Sequence, residues 1–152
     1  MGPKIGVILG SASDEERLKE GFTTLDEMNI KYDLKIASAH RNPDKVKSLC
    51  KKMEKEGVKV IIAAAGLACA LPGFIASYVN IPVIGVPLEG GILDGLDSLL
   101  SIVQVPKGLG LVSSGTNKRG FINAVIFALS ILSLNDKEYH SKLIELKKKF
   151  KS

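Results

Sequence analysis

The chain has no tryptophan, only two cysteines and only two histidines, and each scarcity removes a class of function. Cys50 and Cys69 stand far apart without a CxxC, and His40 and His140 lie away from both, so no metal-ligand spacing is present. A disulfide is not expected between them in a reducing compartment. No apolar run reaches the ~18 residues that argue for a transmembrane span. The start, Met1-Gly2-Pro3-Lys4, lacks signal-peptide organisation, so the expected location is the cytoplasm and no membrane partner is expected. Five phenylalanines and three tyrosines, scattered along the chain, offer no stacking platform for nucleic acid. The net charge of +5 does not change that, because much of the excess sits in the tail Lys147-Lys148-Lys149-Phe150-Lys151. A solvated helix end, where cations complement the helix dipole, explains it more simply. A Walker loop and a GxGxxG are also missing, so no triphosphate or dinucleotide is implied, and a Ser-His-Asp triad, conceivable from the many serines, has no Gly-x-Ser-x-Gly elbow to support it.

What is present is alternation. With 152 residues, 45% hydrophobic and 24% charged, the chain fits one soluble domain over 1–152. Short apolar runs at 4–9, 31–37, 58–64, 82–86 and 110–113 read as strands. Between them lie helical patterns: one opened by Asp14 as cap and carrying Leu18, Phe22 and Leu25, then 43–55 with Pro43 in its first turn, 71–79, 95–103 and 117–133. A charged C-terminal helix begins at about 135 with Tyr139, Leu143 and Leu146 on its packing side. Five strands alternating with helices imply a three-layer α/β/α fold around a parallel sheet, and a flavodoxin-like order suits that number. The helix at 117–133 is apolar on more than one face, which points to burial between subunits.

Open α/β sheets bind ligands at the carboxyl ends of their strands, so three loops matter. Gly10-Ser11-Ala12-Ser13-Asp14 has small residues that let a backbone approach a ligand, followed by a helix start and a carboxylate suited to sugar hydroxyls. Ser38-Ala39-His40-Arg41 sets a side chain that titrates near neutrality beside a guanidinium fork for phosphate or carboxylate. Ala65-Gly66-Leu67-Ala68-Cys69-Ala70 is small and apolar, with one thiol. Each loop alone is equally compatible with a capped turn or tight packing. Together they describe a pocket for a small phosphorylated molecule with one acid–base residue, His40. His140, on the last helix, reads as a surface residue.

Several motifs in order sharpen this reading. Gly10-Ser11-x-Ser13-Asp14, Ser38-Ala39-His40-Arg41-x-Pro43, Ala65-Gly66 with Leu71-Pro72-Gly73, the run from Asp97 through Gln104-x-Pro106, and Asn123-Ala124 resemble the PurE family of purine biosynthesis. The resemblance implies a flavodoxin-like subunit, a homo-octamer, no metal or organic cofactor, and chemistry on an aminoimidazole ribonucleotide. In the mutase branch a carboxylate moves from the exocyclic nitrogen to ring carbon C4. In the carboxylase branch carbon dioxide adds at C4 directly. A non-catalytic nucleotide-binding relative is the remaining alternative, against which the joint presence of Ser11, Asp14, His40 and Arg41 argues. The resemblance makes His40 the catalytic residue and places Ser11, Ser13, Asp14, Ser38, Ala39, Arg41 and Leu71 on the ribonucleotide, with Arg41 on its phosphate. Gly66, Ala68 and Ala70 would line a small dry pocket for carbon dioxide. One departure stands out. Ala70 occupies the position before Leu-Pro-Gly where the mutase branch usually carries histidine, a trait of the carboxylases, whereas Arg41 and the run 97–106 are mutase-like.

Overall fold

The apolar runs become the middle of a parallel sheet because only a strand covered on both faces can carry so little polar sequence. The structure, a computed structural model, describes residues 2–151. In chain order it contains β1 (Ile5–Leu9), α1 (Ala12–Arg17), α2 (Lys19–Glu27), β2 (Tyr32–Ile36), α3 (Pro43–Lys55) and β3 (Val60–Ala65). The second half holds α4 (Leu71–Ala76), β4 (Val83–Pro87), α5 (Leu96–Val103), β5 (Val112–Ser113), α6 (Asn117–Leu132) and α7 (Lys137–Lys149). The five strands pair in parallel in the order β2-β1-β3-β4-β5, the flavodoxin-like arrangement.

Strand alternation separates two cores. Val7, Leu9, Ile62, Ala64 and Val86 face a layer built from α2, α6 and α7, where Phe22, Phe121 and Leu129 are buried. Ile8, Ile61, Ala63 and Val83 face the other layer, with Val46 and Met53 of α3, Ile75 of α4 and Ile102 of α5. A fully buried aromatic such as Phe121 contributes roughly 1.5–3 kcal/mol through apolar burial. Its ring lies 4.9 Å from that of Phe22, and Gly21 leaves it room, since a Cβ on Gly21 would overlap the ring. Register then builds the site. Leu9 pairs with Ile36 and Ala64, and Ala64 with Val86, so four strands end side by side and release their loops at one edge.

The structure moves several expected boundaries. The helix expected after Asp14 is two helices, turning at Leu18 (φ −104°, ψ 10°) while Leu18, Phe22 and Leu25 all stay buried. Ser11, not Asp14, caps α1: its hydroxyl accepts the Ser13 N–H, while the Asp14 carboxylate accepts back from the Ser11 backbone N–H. α4 stops at Ala76 instead of 79, where the Ser77 hydroxyl donates to the Phe74 carbonyl at 2.6 Å. α7 starts at Lys137, because Asp136 caps it by accepting the Glu138 N–H at 2.9 Å. β5 shrinks to Val112–Ser113. α6 is less bare than its composition suggests: α7, α2 and the sheet bury most of its apolar residues and leave Phe127 exposed. The larger open apolar surface is Ile92, Leu93, Leu96, Leu100 and Val103, on α5 and the turn before it, with Ile92 96% exposed. No helix among the described residues is long and apolar enough to cross a membrane.

Candidate active site at the strand carboxyl ends

Four strand-end loops enclose a cavity of about 550 Å³. The first wall is the β1–α1 turn. The Gly10 amide donates to the Ala64 carbonyl at 3.0 Å, which seats the turn on the neighbouring strand. Ser11 and Ser13 bring their hydroxyls within 3.0 Å of each other at the cavity. Asp14 also lines it and is only 5% exposed. Burial raises its pKa, and the Arg17 guanidinium, 3.6 Å away, opposes that rise by stabilising the anion.

The second wall is the β2–α3 turn. The Ala37 amide donates to the Leu9 carbonyl, and the Ser38 hydroxyl accepts the Arg41 N–H at 3.2 Å. Asn42 then caps α3 by accepting the Lys45 N–H, and Pro43 supplies a pre-set first-turn φ. The turn is thus closed from both sides while His40 and Arg41 stay exposed at the cavity rim. One Arg41 Nη lies 3.5 Å from the Gly10 carbonyl, leaving most of its fork open to a ligand.

The third wall is apolar and folded tightly. Gly66 accepts the Cys69 N–H at 2.9 Å, and Leu67 and Cys69 adopt positive φ (54° and 41°), uncommon for side-chain-bearing residues. Gly66 faces the Leu88 and Glu89 carbonyls closely enough that a Cβ would sit 3.4 Å from each. Ala70 and Leu71 line the cavity. Ala68 does not: it is exposed and lies outside the lining, because the reversal at Leu67 and Cys69 turns it outward. Cys69 is 2% exposed, and desolvation, with the nearby Asp14 charge adding to it, pushes its thiol up to about 12.

The fourth wall is Glu89 and Gly90, which follow β4. It is anchored from several directions. The fully buried Ser98 hydroxyl lies 2.9 Å from the Leu67 carbonyl and 2.8 Å from that of Leu88, so one proton is shared between two loops. Asn117 accepts the Glu89 N–H at 2.8 Å, and Arg17 donates to the Glu89 carbonyl at the same distance. Sequence reasoning missed Arg17 and Glu89 as lining residues. The signals were there: Arg17 stands three residues after Asp14 on one helix face, and Glu89 follows a strand as the other loops do. His140 is exposed on α7 and takes no part in the cavity.

The arrangement offers a rim with an imidazole and a guanidinium, a buried carboxylate with two hydroxyls, and a wall of small and apolar side chains. Three comparisons bear on its use. The AIR carboxylase family matches residues 4–152. The N5-carboxyaminoimidazole ribonucleotide mutase of Bacillus subtilis is 45% identical over 145 residues, 95% of this chain and 90% of that protein. That of Thermotoga maritima is 44% identical over 149 residues, 98% of this chain and 86% of its own. The crystal structure of Treponema denticola PurE superposes with a TM-score of 0.82 at 28% identity, covering 97% of this chain and 90% of that one.

Proposed function

Because the chain belongs to the AIR carboxylase family, we infer that it catalyses the N5-carboxyaminoimidazole ribonucleotide mutase reaction of de novo purine biosynthesis. The observation that carries the mechanism is the pairing of His40 with Arg41 on the rim of a cavity that is also lined by the small and apolar residues Gly66, Ala70 and Leu71. The reaction needs one proton delivered and one removed. As the carboxylate leaves the exocyclic nitrogen as carbon dioxide, that nitrogen takes a proton. C4 of the imidazole then attacks the carbon dioxide, and loss of the C4 proton restores aromaticity. A single imidazole performs both transfers, giving its proton in the first step and recovering one in the second.

The other residues take roles their chemistry suits. Arg41 presents its fork to the phosphate, and Asp14 accepts from ribose hydroxyls, with Ser11, Ser13, Ser38 and Ala39 shaping the same side. Gly66, Ala70 and Leu71 hold the carbon dioxide where water is excluded, which prevents its escape as bicarbonate. The open apolar surface of α5 and its preceding turn fits burial in a homo-octamer, and the chain is read as a single cytoplasmic domain.

Direct carboxylation is a second reading, and Ala70 on the cavity wall is the observation that favours it. Supplying purified protein with N5-carboxylated ribonucleotide, or with the bare ribonucleotide plus bicarbonate, separates the two. The mutase gives C4-carboxylated product from the first substrate without added bicarbonate. Product only from the second pair assigns the direct carboxylase.

A further inference from the structure

Arg17 is tied to two walls of the cavity. Its Nη1 lies 3.6 Å from Asp14 Oδ1 on its own helix. Its Nη2 donates to the Glu89 carbonyl at 2.8 Å and stands 3.9 Å from the Glu89 carboxylate. The wall it reaches is rigid in its own right, since Leu88 and Glu89 are also held by Ala65, Ser98 and Asn117. The carboxylate it faces is 7% exposed in its side chain, whereas Arg17 is 38% exposed. A long, half-open cation thus pins a short, buried anion to a fixed point across the cavity.

We propose that Arg17 is a positioning residue for the ribonucleotide, one that joins the Asp14 carboxylate to the Leu88–Glu89 wall and so fixes where the ribose hydroxyls are received. The proposal rests on the ribonucleotide reading above. A guanidinium suits this task because its planar fork donates in two directions at once, which an ammonium does less well.

The same geometry sets a pH dependence. Asp14 is driven toward its neutral form by burial, and Arg17 is the cation that counters this. The other charged or titratable groups lining the cavity are His40 and Arg41 from the β2–α3 turn, Cys69 from the β3–α4 loop and Glu89 from the β4–α5 loop. Cys69 stays neutral at working pH, and Glu89 is itself turned toward Arg17. Without the guanidinium, Asp14 takes up a proton at higher pH and stops accepting from two hydroxyls at once.

The test is steady-state kinetics across pH for wild type, Arg17→Gln and Arg17→Lys, with calorimetric binding of ribose 5-phosphate as a measurement that needs no turnover. Arg17→Gln is expected to raise KM about tenfold, the size of one lost hydrogen bond to a charged group, with kcat nearly unchanged. Its rise in KM on the acid side begins at a higher pH than in wild type. Arg17→Lys restores the acid side while recovering only part of the affinity, and ribose 5-phosphate binding follows KM. Wild-type KM, pH profile and ribose 5-phosphate affinity in Arg17→Gln would overturn the role of Arg17, as would a loss confined to kcat. Absence of both binding and turnover in wild type itself overturns the ribonucleotide reading beneath it. Should Arg17→Gln not fold, Arg17→Lys decides: unchanged affinity for ribose 5-phosphate overturns the proposal, and weakened affinity with an unshifted pH profile supports it.

Discussion

The two facing walls of the cavity are built on opposite principles. Residues 38–41 form an open turn whose working side chains, His40 and Arg41, stand in solvent. Residues 66–71 form a tightly folded loop of small or apolar side chains, with Cys69 and Leu71 buried and Leu67 exposed, and its backbone takes positive φ at Leu67 and Cys69. In the proposed mechanism the open wall moves protons and holds charge, and both tasks need side chains that can titrate and hydrate. The closed wall is there proposed to contribute shape and to keep water out, which need backbone fixed in place. Ser98 is what fixes it, by serving the Leu67 and Leu88 carbonyls with one hydroxyl. Chemistry on one side therefore depends on strength of folding on the other.

Substitutions should split along that line. His40→Asn, on the open wall, is expected to cost about 10²–10⁴-fold in kcat with folding untouched, the usual range for general acid–base work. His140→Ala, exposed on α7, serves as the matched control and should turn over like wild type. On the closed wall, Ser98→Ala strips a donor from the buried Leu88 carbonyl and the part-buried Leu67 carbonyl and is expected to destabilise by about 1–3 kcal/mol. Denaturant unfolding measures it, and a Ser98→Ala midpoint equal to wild type would break the comparison. Arg41→Lys returns the argument to the open wall. It keeps the charge but loses the fork, so KM for the ribonucleotide should rise roughly tenfold, as for one lost charged hydrogen bond. The dephosphorylated nucleoside should bind wild type and variant alike.

The smallest effect is expected at Cys69. A thiol pushed up to about 12 is protonated at any pH the enzyme would work at, and only the thiolate is nucleophilic. Iodoacetamide at pH 8 should leave Cys69 unmodified in the folded protein, and mass spectrometry after brief exposure reads this directly. Rapid alkylation there would mean that the closed wall opens readily.

The open wall was legible in the sequence and the closed one only partly. A histidine beside an arginine after a strand announces itself by residue type, and Asn42-Pro43 marks the helix start that holds them. Small residues announce nothing so specific. Ala68 and Ala70 read alike, yet the positive φ angles at Leu67 and Cys69 turn one outward and leave the other on the cavity. Asp14 was expected to cap α1 because it precedes an apolar helical pattern. Ser11 takes that role, and its spacing three residues before an acidic side chain was the signal. The strand order follows from long-range pairing, which periodicity does not encode. The partners of Glu89 lie in α1 and α6, far from it along the chain, so the fourth wall exists only once the sheet has formed.

The central claim is that carbon dioxide released at the open wall is retained at the closed one until C4 takes it. Ribonucleotide labelled with ¹³C in its N5-carboxylate, turned over in excess unlabelled bicarbonate, tests this in one measurement. Retention of the label in the C4-carboxylated product is the predicted result. Product carrying the unlabelled carbon of the bicarbonate pool would contradict the account, because the carbon dioxide would then have exchanged with solvent before the new bond formed.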